Sequence, residues 1–150
     1  MQGPAGANGV TAVLFNEAFG VESSNPIGSL NFDSTPANNN RLCPLGPYTP
    51  TQSQTALIDV TIAFEDVLQI TGSANVVYST DNGTTWTAIL GVGNWATAPS
   101  GTWASSTRAT QLALTANTTY LFAVVGFSTI PPETTADNST CSLRITAVNN

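Results

Sequence analysis

The sequence predicts an all-β protein, folded as an antiparallel jelly-roll sandwich. Apolar residues come in short or alternating runs, turn residues separate these runs, and no stretch shows a helical period. Charged residues make up 8% of the chain, where about 25% is typical of globular domains. Thr, Ser, Asn and Gln carry the polarity instead, and such a composition suits exposed β-sheet surfaces.

Nine strands are expected in chain order, at 12–16, 27–32, 56–64, 67–71, 75–80, 84–89, 109–115, 118–127 and 139–148. Long polar connections are expected at 33–54, which holds four prolines, at 91–107 and at 128–138. Nine short strands separated by turn clusters are typical of a sandwich or jelly roll, and 150 residues suit one domain.

In three of these strands the sequence pattern indicates which side chains share a face. The alternation in 56–64 places Ile58, Val60, Ile62 and Phe64 on one buried side, and 139–148 does the same with Cys141, Leu143, Ile145 and Ala147. Strand 118–127 is apolar on both faces, with Tyr120, Phe122 and Val124 opposite Leu121, Ala123, Val125 and Phe127. Its second face requires a cover, and either a neighbouring subunit or a loop of the same chain would provide one.

Glycine occupies every third position at the start of the chain, at Gly3, Gly6 and Gly9. Collagen requires this period because only glycine fits at the axis of the triple helix. We therefore expect residues 1–11 to be the last turns of a collagen-like stalk and residues 12–150 to be a β-sandwich domain. Three parallel chains in a stalk imply a homotrimeric head.

With this stub and about 140 residues of short, Thr-rich strands, the chain resembles the C-terminal domains of bacterial and viral collagen-like proteins. The exosporium collagen-like glycoprotein of Bacillus spores is the nearest type, and phage tail fibres end similarly. The resemblance implies a trimeric jelly roll of the tumour-necrosis-factor and complement type, located on a spore, a cell surface or a virion fibre. It transfers no site residues.

Residues 79–86 read STDNGTTW and match the Asp-box pattern, S-x-D-x-G-x-T-W, of sialidase propeller blades. The motif also has a local explanation, because Asn82-Gly83 favours a tight turn and Asp81 accepts backbone N–H groups from the residues ahead of it. Trp86 then folds back against the preceding strand. One box and three scattered arginines do not make a sialidase, so we expect Asp81, Gly83 and Trp86 to be structural.

The composition argues against most kinds of catalytic site and against nucleic-acid binding. The sequence contains no histidine, which excludes an imidazole base, and a net charge of −6 with only three arginines disfavours nucleic acid. No apolar run reaches the length of a membrane span. Glu65-Asp66 is an adjacent pair typical of a solvated turn, and distant pairs such as Asp59 with Glu133 remain open. We expect no catalytic residue, no cofactor and no metal site, although a calcium ion held by loop carboxylates is left open.

Cys43 and Cys141 either form one disulfide that closes nearly the whole domain or remain two thiols. Three N-x-S/T sequons, at Asn82, Asn117 and Asn138, are attributed to the Asn- and Thr-rich composition.

Trp95 and Trp103 lie in a Gly-, Ser- and Thr-rich connection and are the candidate glycan-binding residues, because sugar faces stack on indole rings. Packing at the base of the trimer is the alternative role for them. The sequence thus predicts a non-enzymatic trimerisation head of a collagen-like fibre that recognises a cell-surface glycan or host receptor. A monomeric carbohydrate-binding module and, less in keeping with the residues, a fragment of a carbohydrate-active enzyme are the alternatives.

Overall fold

The computed structural model describes residues 9–20, 41–66, 70–89, 97–98, 102–128 and 138–150. In these ranges the chain forms strands and no helix, which confirms the all-β prediction. The strands are β1 (Val10–Gly20), β2 (Arg41–Tyr48), β3 (Gln54–Asp66), β4 (Ile70–Ser79), β5 (Thr87–Ala88), β6 (Thr97–Ala98), β7 (Thr102–Leu114), β8 (Tyr120–Ser128) and β9 (Asn138–Asn149).

Two antiparallel sheets contain these strands. The first sheet has the order β1-β9-β3-β7, and the second has the order β2-β8-β4-β5, with β6 also paired to β4. The chain crosses from one sheet to the other at almost every connection, so early and late strands alternate within each sheet. This is the strand order of a jelly roll, as the sequence predicted.

The core lies between the sheets and uses the faces that alternation indicated. Ile58, Val60 and Ile62 of β3 are buried, as are Cys141, Leu143, Ile145 and Ala147 of β9. Tyr120, Phe122 and Val124 of β8 meet them from the second sheet in the same cluster. Asp59 and Arg144, on the opposite faces, are exposed.

The second apolar face of β8 is covered by a loop of the same chain. Ala123 and Val125 form a separate buried cluster with Val77 and Trp86, and Leu121 packs against it. Of the two covers considered above, the loop is therefore the correct one for these residues. A neighbouring subunit is not needed to bury Ala123 and Val125, because the Trp86 indole packs against them within the chain.

Several strand boundaries differ from those predicted. Residues 41–48 form β2 inside the expected 33–54 connection, and β7 begins at Thr102 inside the expected 91–107 connection. The prolines of β2 are tolerated because it is an edge strand, where a missing N–H leaves no gap in the ladder. The strand expected at 84–89 shrinks to Thr87–Ala88, because the Asp-box turn extends through Thr85.

β8, at Tyr120–Ser128, is shifted slightly from the predicted 118–127, and the other strands are longer than expected, with β1 and β3 running well past the predicted 12–16 and 56–64. The strand expected at 27–32, most of the one at 67–71, and residues 1–8 of the glycine-triplet stub lie outside the described residues.

Candidate functional site

The Asp-box turn between β4 and β5 is organised around the carboxylate of Asp81. The Thr85 backbone N–H donates to Oδ1 and Oδ2 at 2.8 and 3.0 Å, and the Thr85 hydroxyl donates to Oδ2 at 2.6 Å. The Ser79 hydroxyl donates to Oδ1 at 2.7 Å. Because these donors favour the charged form, first the Thr85 hydroxyl and then the Thr85 N–H, the pKa of Asp81 falls to about 2.

The backbone of this turn uses left-handed conformations at Asn82 and Gly83, with φ of 59° and 85°. Asparagine and glycine are the residues that adopt this region most readily. The Gly83 N–H donates to the Ser79 hydroxyl at 2.9 Å, which closes the turn from the other side.

Trp86 anchors the turn onto the second sheet. Its Nε1–H donates to the Gly83 carbonyl at 3.0 Å, and its ring is buried in the cluster on the outer face of β8. The Arg41 guanidinium of β2 lies 4.7 Å from the centroid of the indole ring. The motif therefore acts within this domain as a clamp that joins the β4–β5 turn to β2 and β8.

A cleft of about 370 Å³ opens beside this clamp. It is called the Arg41 cleft here, and Arg41, Pro44, Leu45, Gly46, Trp86 and Leu121 line it. Its size is at the lower end of the range for small-molecule sites. Arg41 thus helps to line a concave surface that is nearly as polar as it is apolar.

The outer face of the first sheet is apolar at one end. Val10, Val13, Phe15 and Leu57 have exposed fractions of 62, 49, 54 and 41%, and they are the large exposed hydrophobic residues of the described chain. Val13 pairs with Thr146, which pairs with Leu57, so these residues share a face opposite the buried Ile58. Val10 joins that face through its pairing with Val148. These four residues are called the apolar face below.

Sequence reasoning missed the apolar face, although its signal is present. Residues 12–15 read AVLF, so both sides of β1 are apolar. Ala12 and Leu14 pack against the core, which leaves Val13 and Phe15 outside.

A disulfide joins Cys43 of β2 to Cys141 of β9, with Cα atoms 6.1 Å apart, and so links the two sheets. A polar network ties the strands together at the end where β1 begins. Buried Gln54 accepts a hydrogen bond from the Tyr48 hydroxyl at 2.6 Å and donates to the Thr11 hydroxyl at 2.8 Å and to Asn149 Oδ1 at 3.2 Å. The position of the chain as it leaves Gly9 is thereby fixed.

The two candidate tryptophans are not brought together by the described structure. Trp95 lies outside the described residues. Trp103, in β7, is placed only by its backbone, which pairs with Glu65 of β3. Their glycan-binding role therefore stays a prediction. Within the described ranges no group of three or more His, Cys, Asp or Glu residues is placed to hold a metal ion, and no helix there could span a membrane.

No family model matches the sequence, and no curated protein matches it. Among solved structures, the globular domain of zebrafish complement 1qA protein is 6% identical, with a TM-score of 0.43 over 91% of this chain and 95% of that one. A family 35 carbohydrate-binding module from Clostridium thermocellum is 9% identical, with a TM-score of 0.36 over 88% of each chain.

A chain in the structure of infectious bursal disease virus, Gx strain, is 11% identical with a TM-score of 0.46; the match spans 73% of this chain but 27% of the viral one. Identities and TM-scores this low assign the chain to no family, so its function has to be argued from its own surfaces.

Proposed function

We propose that this chain is the non-enzymatic, homotrimeric head of a collagen-like fibre, which holds three chains in register and presents a recognition surface at the fibre tip. The observation that carries the proposal is the position of the apolar face. It starts at Val10, directly after Gly9, the last glycine of the triplet stub. Three chains leaving a triple helix stand side by side, so this face is the part of each head that is nearest to its neighbours.

An exposed group of large apolar side chains on one sheet is typical of a protein interface. Burial against two further copies would remove Val13, Phe15 and Leu57 from water. The sheet itself needs no rearrangement, because its strands are already paired and its inner face is already packed.

The charges beside this face are mixed. The chain carries a net charge of −6, so three copies repel one another overall. On the first sheet, Phe15, Arg144 and Asp59 follow one another across the strands, and Glu17 is exposed two residues beyond Phe15, so one positive and two negative charges lie beside the apolar face. The apolar contacts would have to outweigh this repulsion.

The absence of histidine from the whole sequence and the structural role of the Asp-box carboxylate support a head that acts by binding rather than by catalysis. In a monomeric binding module, by contrast, the apolar face would remain in water.

The test is the effect of charge on the apolar face. Phe15→Glu and Leu57→Glu should convert the trimer to monomer in light scattering, because three introduced carboxylates would meet near the axis. Thr87→Glu adds the same charge at an exposed position of β5 in the other sheet, and it should leave the mass unchanged. Trimers that persist in both face variants would refute this interface.

A further inference from the structure

We propose that Asn82 is a deamidation site that the Asp-box turn protects in the folded domain and that unfolding exposes. The critical product is isoaspartate, because it lengthens the backbone of the turn by one atom. The inference concerns the chemical lifetime of the folded domain. It goes beyond the function proposed above and is independent of the trimer and of glycan recognition.

Asn82-Gly83 is an Asn-Gly pair, the dipeptide that deamidates most readily in unfolded chains. The Gly83 backbone nitrogen loses its proton to hydroxide and attacks Cγ of Asn82, so that an N–Cγ bond forms, the Cγ–Nδ2 bond breaks and Nδ2 leaves as ammonia. Water then opens the resulting succinimide ring at either carbonyl carbon, which gives aspartate or isoaspartate. Glycine favours the attack because it has no Cβ to obstruct the nitrogen.

In the folded turn the attacking nitrogen is already engaged. The Gly83 N–H donates to the Ser79 hydroxyl oxygen at 2.9 Å, and the Asp81 N–H donates to the same oxygen at 3.3 Å. This oxygen is held in place, because Ser79 is only 2% exposed and its own O–H donates to Asp81 Oδ1 at 2.7 Å. Removal of the Gly83 proton therefore breaks a partly buried hydrogen bond.

The conformation of the turn also opposes ring closure. Asn82 and Gly83 have φ of 59° and 85°, and the contacts of Gly83 on both sides hold them there. Its N–H is bound to Ser79, and its carbonyl accepts from Nε1–H of the buried Trp86 at 3.0 Å. Ring closure requires the Gly83 nitrogen to swing toward the Asn82 side chain. That rotation would break the contacts to Ser79 and Trp86 together.

The charge of Asp81 adds a smaller barrier. Its pKa of about 2 keeps the carboxylate ionised at the neutral and alkaline pH values where hydroxide drives deamidation. The attacking form of the Gly83 nitrogen is also negatively charged, and a like charge nearby disfavours it. Because Asp81 is exposed, solvent weakens this repulsion, so the hydrogen bonds provide most of the protection.

Unfolding removes this protection, and isoaspartate then prevents the turn from forming again. In isoaspartate the chain runs through Cγ, which inserts one carbon between Cα and the Gly83 nitrogen. The longer backbone cannot satisfy the contacts of Gly83 with Ser79 and Trp86 at once. Aspartate, by contrast, keeps the normal backbone and tolerates the left-handed conformation. Formation of isoaspartate at this position therefore makes unfolding irreversible.

The experiment measures deamidation by mass spectrometry of peptides, for the folded chain and for the chain in guanidinium chloride, in the same mildly alkaline buffer. Asn8-Gly9, the other Asn-Gly pair in the sequence, is the internal reference. In denaturant Asn82 should react at about the rate of Asn8. In the folded chain it should react about tenfold more slowly, or less, than in denaturant. Equal rates at Asn82 in the folded and the unfolded chain would overturn the proposal.

Two variants test the hydrogen bond to Ser79. Ser79→Ala removes the acceptor and should raise the rate at Asn82 in the folded chain about tenfold. Thr80→Ala, at the exposed neighbouring position, should leave the rate unchanged. An unchanged rate in a Ser79→Ala chain that keeps the Trp86 Nε1–H resonance would overturn the role of Ser79. If this variant does not fold, the comparison of folded and unfolded wild type decides.

Refolding tests the consequence of the modification. Chains that carry isoaspartate at position 82 after incubation in denaturant should fail to recover the Trp86 Nε1–H resonance when the denaturant is removed. Asn82→Asp is the matched control, because it has the same added charge on a normal backbone, and it should refold completely. Isoaspartate chains that refold to the wild-type spectrum would overturn the claim of irreversibility. Failure of Asn82→Asp to refold would overturn the role of backbone length.

Discussion

Removal of the Cys43–Cys141 disulfide should lower the free energy of unfolding more than most changes that leave every strand in place. The bond closes a segment with a sequence separation of 98, and the chain-entropy model assigns about 4.7 kcal/mol to a loop of about 100 residues. Alanine is the appropriate replacement at both sites. Cys43 has a positive φ that alanine tolerates about as well as cysteine, and serine would bury a hydroxyl in the core.

The assay is urea unfolding of Cys43→Ala/Cys141→Ala and of the wild type at one protomer concentration, because unfolding of a trimer depends on concentration. We expect a loss of about 4–5 kcal/mol in the free energy of unfolding, with up to about 1 kcal/mol more for the sulfur atoms removed from the core. The m-value should rise, because the unfolded chain without its cross-link exposes more surface.

Each single alanine variant is the matched control. Because either substitution alone breaks the bond, the two singles should lie within about 1 kcal/mol of the double variant. A double variant as stable as the wild type and with an unchanged m-value would refute this reasoning. So would the detection of two reactive thiols in the oxidised, unfolded wild type.

Two further predictions concern the turns. The Asp81 carboxyl should titrate in ¹³C NMR with a pKa of about 2. Because this pKa is depressed, the stability that the Asp81 carboxylate contributes is complete above pH about 4 and is lost as the pH falls through about 2. Asp81→Asn should therefore be less stable than the wild type at pH 7, by a margin that shrinks over that window. A margin independent of pH would contradict the hydrogen bonds described. Gly46→Ala should lower the free energy of unfolding by about 2–4 kcal/mol in thermal or urea unfolding, because its Cβ would lie 2.7 Å from a backbone carbonyl of β8 at a φ of 106°. Gly83→Ala, at a φ of 85° and with 3.5 Å to the nearest atom, should lower it by about 1–2 kcal/mol. The reverse order would show that the β2 bulge is misplaced.

Local patterns in the sequence were sufficient to predict the regular strands and the Asp-box turn. The alternation in β3 and β9 identifies their buried faces because each strand has one apolar side and one polar side. The turn is readable because its hydrogen bonds all lie within residues 79–86.

The candidate sites depend on contacts that no local pattern contains. β2 does not alternate, since two bulges and two prolines interrupt it, and it resembles a loop in sequence. Arg41 lies over the Trp86 ring although the two residues are 45 positions apart in the chain. The packing of Trp86 against Ala123 and Val125 also joins distant residues, and it makes this part of the second face of β8 an internal contact. The exposed apolar face of β1 was not predicted, because the sequence of a strand with two apolar sides does not show which of them faces the core.

Trimer formation is the central claim, and the mass of the chain in solution tests it most directly. Sedimentation equilibrium at micromolar protomer concentration, from low to high salt, should give one species at three times 15.5 kDa, or 46.5 kDa. Because apolar contacts dominate the proposed interface, the mass should not fall as the salt concentration rises. A single species of 15.5 kDa across the same concentrations would contradict the account and leave a monomeric binding module in its place.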